Sequence, residues 1–170
     1  MKTVRREILE TMFLAGIIVL ILNAFIVQLY LIPSVSMEPT LLVGDRVVVS
    51  KMSYWGQDPA RGDIVVFKFP KDTKVNLIKR VIGLPGETLS VKDNRVYINN
   101  EALSETYVPA QKKIPDFDPV LIPQGQYFMM GDNRDNSADS RVWGFVTAEQ
   151  IRGKAKYLYW PFERAGKINM

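Results

Sequence analysis

A long uncharged stretch near the N-terminus most limits how this chain can fold. Residues 11–37 carry no formal charge, and residues 12–32 are almost entirely apolar. A helix needs about 20 such residues to cross the hydrocarbon core of a bilayer. We therefore expect a transmembrane anchor at residues 11–32, preceded by a short N-terminal segment at residues 1–10.

The distribution of charge around this stretch predicts its orientation. Basic residues are present within residues 1–10, and the next cation after the apolar stretch is Arg46. The positive-inside rule then places the N-terminus in the cytoplasm and residues 33–170 on the outer side. A cleavable signal peptide is the alternative, with small residues at positions 34–36. The apolar run is longer than the roughly 7–15 residues of a signal-peptide core, which favours a retained anchor.

Residues 33–170 predict a mainly β domain. Short segments rich in β-branched and aromatic residues alternate with Gly, Pro and Asn turn signals, without the strand–helix alternation of parallel sheets. We expect an antiparallel β-sheet catalytic domain after the single N-terminal helix. The predicted strands are residues 46–50, 63–69, 76–82, 88–91, 95–98, 126–130 and 154–160. The proline-rich segment 106–125 is expected to be a loop, and residues 133–140 a turn or a single helical turn.

The residue types that are missing exclude several kinds of chemistry. The chain has no cysteine and no histidine. Disulfides, thiolate nucleophiles and the Ser-His-Asp triad are therefore impossible, and transition-metal sites lose their preferred ligands. We expect no metal and no cofactor. The net charge is +4, but the cations are scattered along the sequence, so nucleic-acid binding is not expected. A basic face near anionic lipid is at least as plausible.

Ser36 and Lys79 are the candidates for catalysis. Without imidazole, a serine nucleophile needs another base, and lysine is the residue that remains. In a strand, Lys79 shares a face with Leu77 and Val81, and apolar surroundings lower a lysine pKa from about 10.4. The alternatives are a surface lysine whose stem lies on apolar neighbours, and a serine that merely forms a turn after the membrane helix.

Two further features lie in polar segments. The hydroxyl of Ser34 could stabilise an oxyanion beside the Ser36 backbone N–H. Residues 131–141 are rich in Asp, Asn and Arg, but they lack the glycine and the closing glutamate of an EF-hand. This segment is expected to be a hydrogen-bonded turn with Asp–Arg pairing, able to hold a neighbouring group in place.

Together these segments resemble bacterial type I signal peptidases, the serine–lysine enzymes that remove signal peptides from exported proteins. The matching motifs occur in the family's order behind the apolar stretch. They are residues 33–41 with Gly44-Asp45, residues 61–67, residues 79–87 and residues 131–141. Val35 departs from the pattern, since a glycine is often found there. The chain is also short, with little room for the large extra β-domain of some members.

The resemblance implies a role for each motif residue. Ser36 would be the nucleophile, Lys79 the general base, and Ser34 with the Ser36 N–H the oxyanion hole. Supporting roles fall to Ser137, which would orient the lysine, to the ion pair of Asp139 with Arg141, and to Arg80. The residues expected to line the substrate pockets are Ile32, Pro33, Met37, Leu41 and Ile78.

The function implied is cleavage of exported preproteins after Ala-x-Ala sites, through an acyl-enzyme. The expected partners are signal peptides and the lipid bilayer, and the expected location is the outer face of the bacterial cytoplasmic membrane. Three alternatives remain open at this point. They are a membrane-anchored, non-catalytic β binding module, a self-cleaving repressor-type protease, and a specialised Ser–Lys processing peptidase with few substrates.

Overall fold

The computed structural model describes residues 2–21 and 25–168, and it consists mainly of antiparallel strands. The elements follow in the order α1 (Lys2–Ile21), β1 (Val27–Leu31), β2 (Arg46–Ser50), β3 (Ile64–Phe69), β4 (Asp72–Gly83), β5 (Thr88–Lys92), β6 (Arg95–Ile98), β7 (Glu101–Ala102), β8 (Phe117–Leu121), β9 (Gln126–Met130), α2 (Ser140–Trp143), β10 (Val146–Thr147), β11 (Ile151–Trp160) and β12 (Gly166–Lys167).

These strands form two sheets in the described part of the chain. The larger sheet has the order β1-β2-β11-β3-β4-β9-β10, with β12 paired to β11 outside this path. The smaller sheet has the order β7-β6-β5-β8. Every pairing is antiparallel. The expectation of a mainly β, antiparallel domain is therefore confirmed.

The N-terminal segment differs from the expected anchor at residues 11–32. Within the described residues, no helix combines the length and the apolar character that a membrane crossing needs. Residues 27–31 belong to β1 instead of a helix, and each pairs with a residue of β2, from Val27 opposite Ser50 to Leu31 opposite Arg46. Strand formation here satisfies backbone groups along β2 that would otherwise form a bare edge. Residues 22–24 of the expected anchor lie outside the described residues.

Most of the predicted strands are present, and the turn signals mark their ends. Asp93 and Asn94 join β5 to β6 with positive φ angles of 49° and 65°. Asn and Asp tolerate this left-handed backbone in tight hairpin turns. Asn99 and Asn100 do the same before β7, with φ angles of 50° and 69°.

The segment 106–125 is not entirely a loop, because β8 lies within it. This strand pairs with β5 at the edge of the smaller sheet. An edge strand tolerates Pro119, since only one of its sides has to supply ladder hydrogen bonds. Residues 133–136 form the expected turn, closed by the Asn136 N–H donating to the Asn133 carbonyl at 3.0 Å, and the short helix α2 begins after it, at Ser140.

The core is built so that β4 separates two apolar clusters of the larger sheet. Leu77 and Val81 pack in the cluster of Phe67 and Trp143, whereas Ile78 packs in the cluster of Met37. The alternation expected for this strand is therefore present. The smaller sheet has its own cluster around Leu89 and Phe128. Lys79 lies in the second half of β4, which is buried, whereas the first five residues of the strand are exposed.

Candidate active site

Ser36 is held in a short 3₁₀ turn, Val35–Met37, that packs against the core. Met37 is completely buried next to it, and Ser36 itself is 8% exposed. The backbone N–H of Asn133 donates to the Ser36 carbonyl at 3.1 Å. The Asn133 side-chain amide donates to the Val35 carbonyl at 3.0 Å. The turn is thus fixed both by its buried methionine and by the polar segment that follows β9.

Lys79 points directly at this serine. Its Nζ lies 2.6 Å from the Ser36 Oγ and also donates to the Ile78 carbonyl at 3.1 Å. The lysine is only 4% exposed. Burial lowers the pKa of Lys79 to about 8, although the negative charges of Asp139 and Asp132 act in the opposite direction. A base within hydrogen-bond reach of a hydroxyl, with a pKa near neutrality, meets the requirements for general-base catalysis.

Ser34 lies beside the pair on the solvent side. Its Oγ is 3.3 Å from the Ser36 Oγ, and its side chain is exposed. An exposed hydroxyl next to the nucleophile can turn toward an oxygen that develops negative charge in the cleft. The structure therefore brings together three of the residues that the sequence singled out.

Ser137 does not make the hydrogen bond that the resemblance implies. Within the described residues its buried Oγ has no hydrogen-bond partner, and Lys79 is bonded to Ser36 and Ile78 instead. Ser137 is nevertheless close to the site. A Cβ added at Gly131 would collide with both the Ser137 Oγ and the Ser36 carbonyl oxygen. A glycine is therefore required at position 131, because the nucleophile turn passes directly against the backbone.

Arg80 forms a fully buried ion pair, with Asp132 as its partner. The Nε–Oδ1 and Nη2–Oδ2 distances are 2.9 and 2.7 Å, and both side chains are 0% exposed. Arg80 also donates to the Gly62 carbonyl at 2.8 Å and lies 3.8 Å from the centre of the Tyr107 ring. Thr40 donates to Asp132 at 2.5 Å. A buried charge pair is tolerated when its remaining donors and acceptors are satisfied, as they are here.

The ion pair of Asp139 with Arg141 is formed in the expected turn. The Arg141 Nε and Nη2 lie 2.8 Å from the two carboxylate oxygens, and Asp139 is completely buried. Asp139 also accepts a hydrogen bond from the Gly131 N–H at 3.1 Å and caps helix α2. This carboxylate therefore connects the glycine beside Ser36 to the start of the helix.

A cleft of about 100 Å³ opens beside Ser36 and Lys79. Three of the expected pocket residues line it, namely Ile32, Pro33 and Ile78. Met37 and Leu41 do not line the cleft, because both are fully buried in the core beneath it. The remaining walls come from residues that sequence reasoning missed, which are Tyr30, Leu31, Val66, Asn76 and Leu77.

The positions of these walls show how the larger sheet is shaped. Leu31 belongs to β1 and Leu77 to β4, which are separated by three strands in the sheet order. Both strands border the same narrow cleft, so the sheet curls until its β1 edge approaches β4. Tyr30 and Leu31 carried no signal of their own, because a strand inside a long apolar run is indistinguishable from a helix by periodicity. Val66, Asn76 and Leu77 lie in predicted strands, but strand pattern alone does not show which strands meet at a cleft.

Comparison with known proteins agrees with this geometry. Residues 5–160 match the family model described as signal peptidase, peptidase S26. The chain belongs to this peptidase family. The resemblance drawn from the four motifs is confirmed, and family membership identifies the chain as a serine endopeptidase.

Most of this chain aligns with individual signal peptidases. The chain is 42% identical over 167 residues to a probable signal peptidase I-2 of Synechocystis sp., covering 95% of this chain and 76% of that protein. It is 36% identical over 173 residues to the signal peptidase I of Bacillus licheniformis, covering 96% and 92%. A crystal structure of a signal peptidase I from Enterococcus faecalis has 36% identity and a TM-score of 0.52, covering 58% of this chain and 97% of that one.

Replacing Asp132 by alanine is expected to destabilise this signal peptidase by roughly 3–5 kcal/mol, because Arg80 would remain buried without its counter-ion. Urea unfolding of the full chain in detergent, followed by tryptophan fluorescence, measures the loss. Asp135→Ala removes a carboxylate whose partner, Lys112, is on the surface, and should leave the midpoint near that of the wild type. A double variant with leucine at both Arg80 and Asp132 should regain most of the stability. Equal midpoints for Asp132→Ala and Asp135→Ala would contradict the prediction.

Proposed function

We propose that this chain removes signal peptides from exported preproteins by hydrolysing the peptide bond after an Ala-x-Ala-type site. The observation that carries the proposal is the 2.6 Å contact between the Lys79 Nζ and the Ser36 Oγ inside a buried site. The chain contains no histidine that could serve instead. Membership of the signal peptidase family supports the same assignment.

The reaction begins when Lys79 is uncharged, so that the Ser36 hydroxyl donates to its amine. As the Ser36 oxygen attacks the substrate carbonyl carbon, its proton passes to Lys79. The carbonyl oxygen becomes an oxyanion, which accepts hydrogen bonds from the Ser36 N–H and the Ser34 hydroxyl.

The ammonium of Lys79 then protonates the leaving amine, and the C–N bond breaks to leave an acyl-enzyme. Lys79, again uncharged, takes a proton from a water molecule. The resulting hydroxide attacks the ester carbon, and the returning proton restores the Ser36 hydroxyl. Every proton transferred in these steps comes from Ser36 or the water molecule, and each passes through Lys79.

The narrow cleft supports a preference for small side chains. Its volume of about 100 Å³ leaves room for groups such as methyl close to Ser36. Strands β1 and β4 border the cleft, and β1 is an edge strand of the larger sheet. An extended peptide can therefore bind by backbone hydrogen bonds, with alternate side chains entering the cleft.

The N-terminal segment is proposed to anchor the chain in the bacterial cytoplasmic membrane, with the catalytic domain on the outer face. Since β1 uses residues 27–31, the anchor would end before Val27. Large apolar side chains of α1 are exposed, among them Phe13 at 72% and Leu20 at 69%. Leu29 and Leu31 of β1 are also more than half exposed, which suits contact with lipid.

The direct test is cleavage of a preprotein carrying an Ala-x-Ala site, in detergent. Wild type should cleave it, Ser36→Ala should be inactive, and Lys79→Ala should lose at least about a hundredfold, the usual size of a general-base contribution. Lys156→Ala is the matched control, because it removes an exposed lysine of β11. Absence of cleavage by folded wild type would favour a non-catalytic binding module or a peptidase with its own special substrates.

The activity should also depend on pH through Lys79. Only the uncharged amine accepts the serine proton, so kcat/KM should rise about tenfold per pH unit below the lysine pKa and level off above it. With the pKa lowered to about 8, the bend should occur near pH 8. Steady-state rates on a peptide substrate from pH 5 to 9 measure this, and a flat profile would rule out Lys79 as the base.

Membrane anchoring predicts that the full chain stays with the membrane fraction after alkaline carbonate extraction. Protease added to intact spheroplasts should digest the catalytic domain if it lies on the outer face. Release by carbonate would disprove the anchor, and protection from protease would disprove the orientation.

A further inference from the structure

A second, larger groove lies next to the active-site cleft and is strongly basic. It has a volume of about 440 Å³, and its walls carry Lys51, Lys68, Lys74 and Arg152. No carboxylate is among its lining residues. We propose that this basic groove binds the phosphate of an anionic membrane lipid. The inference deepens the proposed function, because it rests on the membrane attachment of the catalytic domain.

The fold assembles this groove from distant parts of the chain. Lys68 belongs to β3, Lys74 to β4 and Arg152 to β11, while Lys51 follows directly after β2. In the described part of the chain, Lys68, Lys74 and Arg152 form no ion pair. Their charges therefore remain available to an anion. Ammonium and guanidinium groups that converge without a counter-ion favour phosphate oxygens.

The position of the groove indicates a lipid as the source of the phosphate. The groove shares Tyr30 and Asn76 with the active-site cleft, and Gln28, near the start of β1, also lines it. Gln28 lies within two residues of the point where the proposed anchor would end, and Phe25, just before β1, is 60% exposed. Basic side chains close to the end of a membrane anchor attract the phosphates of anionic lipids.

An acidic segment of the substrate is the other candidate ligand, because the groove continues from the cleft. The lipid is favoured because the groove includes Gln28, close to the end of the proposed anchor, where lipid phosphates would surround the chain. A headgroup bound in the basic groove would hold Ser36 at a fixed height above the bilayer. The nucleophile would then lie at the same distance from the bilayer as the scissile bond of a membrane-embedded signal peptide.

The test measures lipid binding by the full chain in an uncharged detergent. The probes are dihexanoyl phosphatidylglycerol, dihexanoyl phosphatidylcholine and inorganic phosphate, titrated by microscale thermophoresis. The test variant combines Lys74→Gln with Arg152→Gln, both at exposed positions where folding should be kept. The control combines Lys92→Gln with Lys113→Gln, which removes the same charge from exposed positions outside the groove.

Wild type and control are expected to bind phosphatidylglycerol equally and more tightly than phosphatidylcholine. The test variant should bind phosphatidylglycerol at least about tenfold more weakly, since each cation near an anionic surface contributes roughly fivefold. Unchanged binding by the test variant would overturn the proposal. Equal affinity for inorganic phosphate would also overturn it, because the site would then be one for free phosphate.

A parallel measurement of KM in lipid-free detergent separates the substrate from the lipid. If the test variant raises KM for a preprotein with acidic residues before the cleavage site, but binds phosphatidylglycerol normally, the groove is a substrate subsite and the lipid assignment fails. Lipid binding is measured without turnover, so it does not depend on peptidase activity. Loss of the proposed function would appear as absent cleavage by wild type, whereas loss of this inference would appear only in the binding curves.

Discussion

The buried ion pair between Arg80 and Asp132 fixes the distance between the Lys79 Nζ and the Ser36 Oγ, on which the chemistry depends. Arg80 follows Lys79 in β4, and Asp132 precedes Asn133, whose backbone holds the Ser36 carbonyl. The pair therefore connects the strand that carries the base to the segment that carries the nucleophile turn. Two charges removed from water are expensive to bury, and the bidentate geometry and the added Thr40 hydrogen bond offset part of that desolvation.

Arg80 and Arg141 also influence the pKa of Lys79. Burial lowers the pKa of Lys79, while the charges of Asp139 and Asp132 favour its protonated form. Each of these carboxylates is bonded to an arginine, Asp139 to Arg141 and Asp132 to Arg80. Because each carboxylate has a cation of its own, its attraction for the ammonium is reduced and desolvation prevails. The polar segment of residues 131–141 thus positions Ser36. It also helps to keep the pKa of Lys79 in a range suited to a general base.

Sequence reasoning reached the dyad in two steps: composition and the strand pattern left a surface lysine possible, and the resemblance to signal peptidases then singled out Ser36 and Lys79. With no histidine and no cysteine, a serine nucleophile leaves lysine as the base, and a period of two along β4 places Lys79 among aliphatic residues. The hairpin at Asp93-Asn94 was predictable from local geometry, since few residues adopt positive φ angles readily. Sequence patterns therefore predict those features that depend only on neighbouring residues, such as tight turns and strand faces.

Features that depend on distant partners could not be predicted in this way. Strand β1 is hidden in an apolar run, and only its pairing with β2 distinguishes it from a helix. Met37 and Leu41 were expected at the cleft, but both are enclosed in the core beneath it. The hydrogen bond expected from Ser137 to the lysine is missing for the same kind of reason. Which groups touch inside the fold depends on how the turn at Gly131 packs, and spacing along the chain does not determine that.

A lysine that titrates near neutrality also makes the molecule a mixture of two populations. With a pKa of about 8, roughly one molecule in ten carries the uncharged amine at pH 7, and the others carry the ammonium form. In these others the ammonium donates to the Ser36 oxygen, which makes that oxygen a poorer nucleophile. Most molecules are thus inactive at pH 7 because Lys79 is protonated. The pH of the surrounding compartment sets the active fraction without any change of fold.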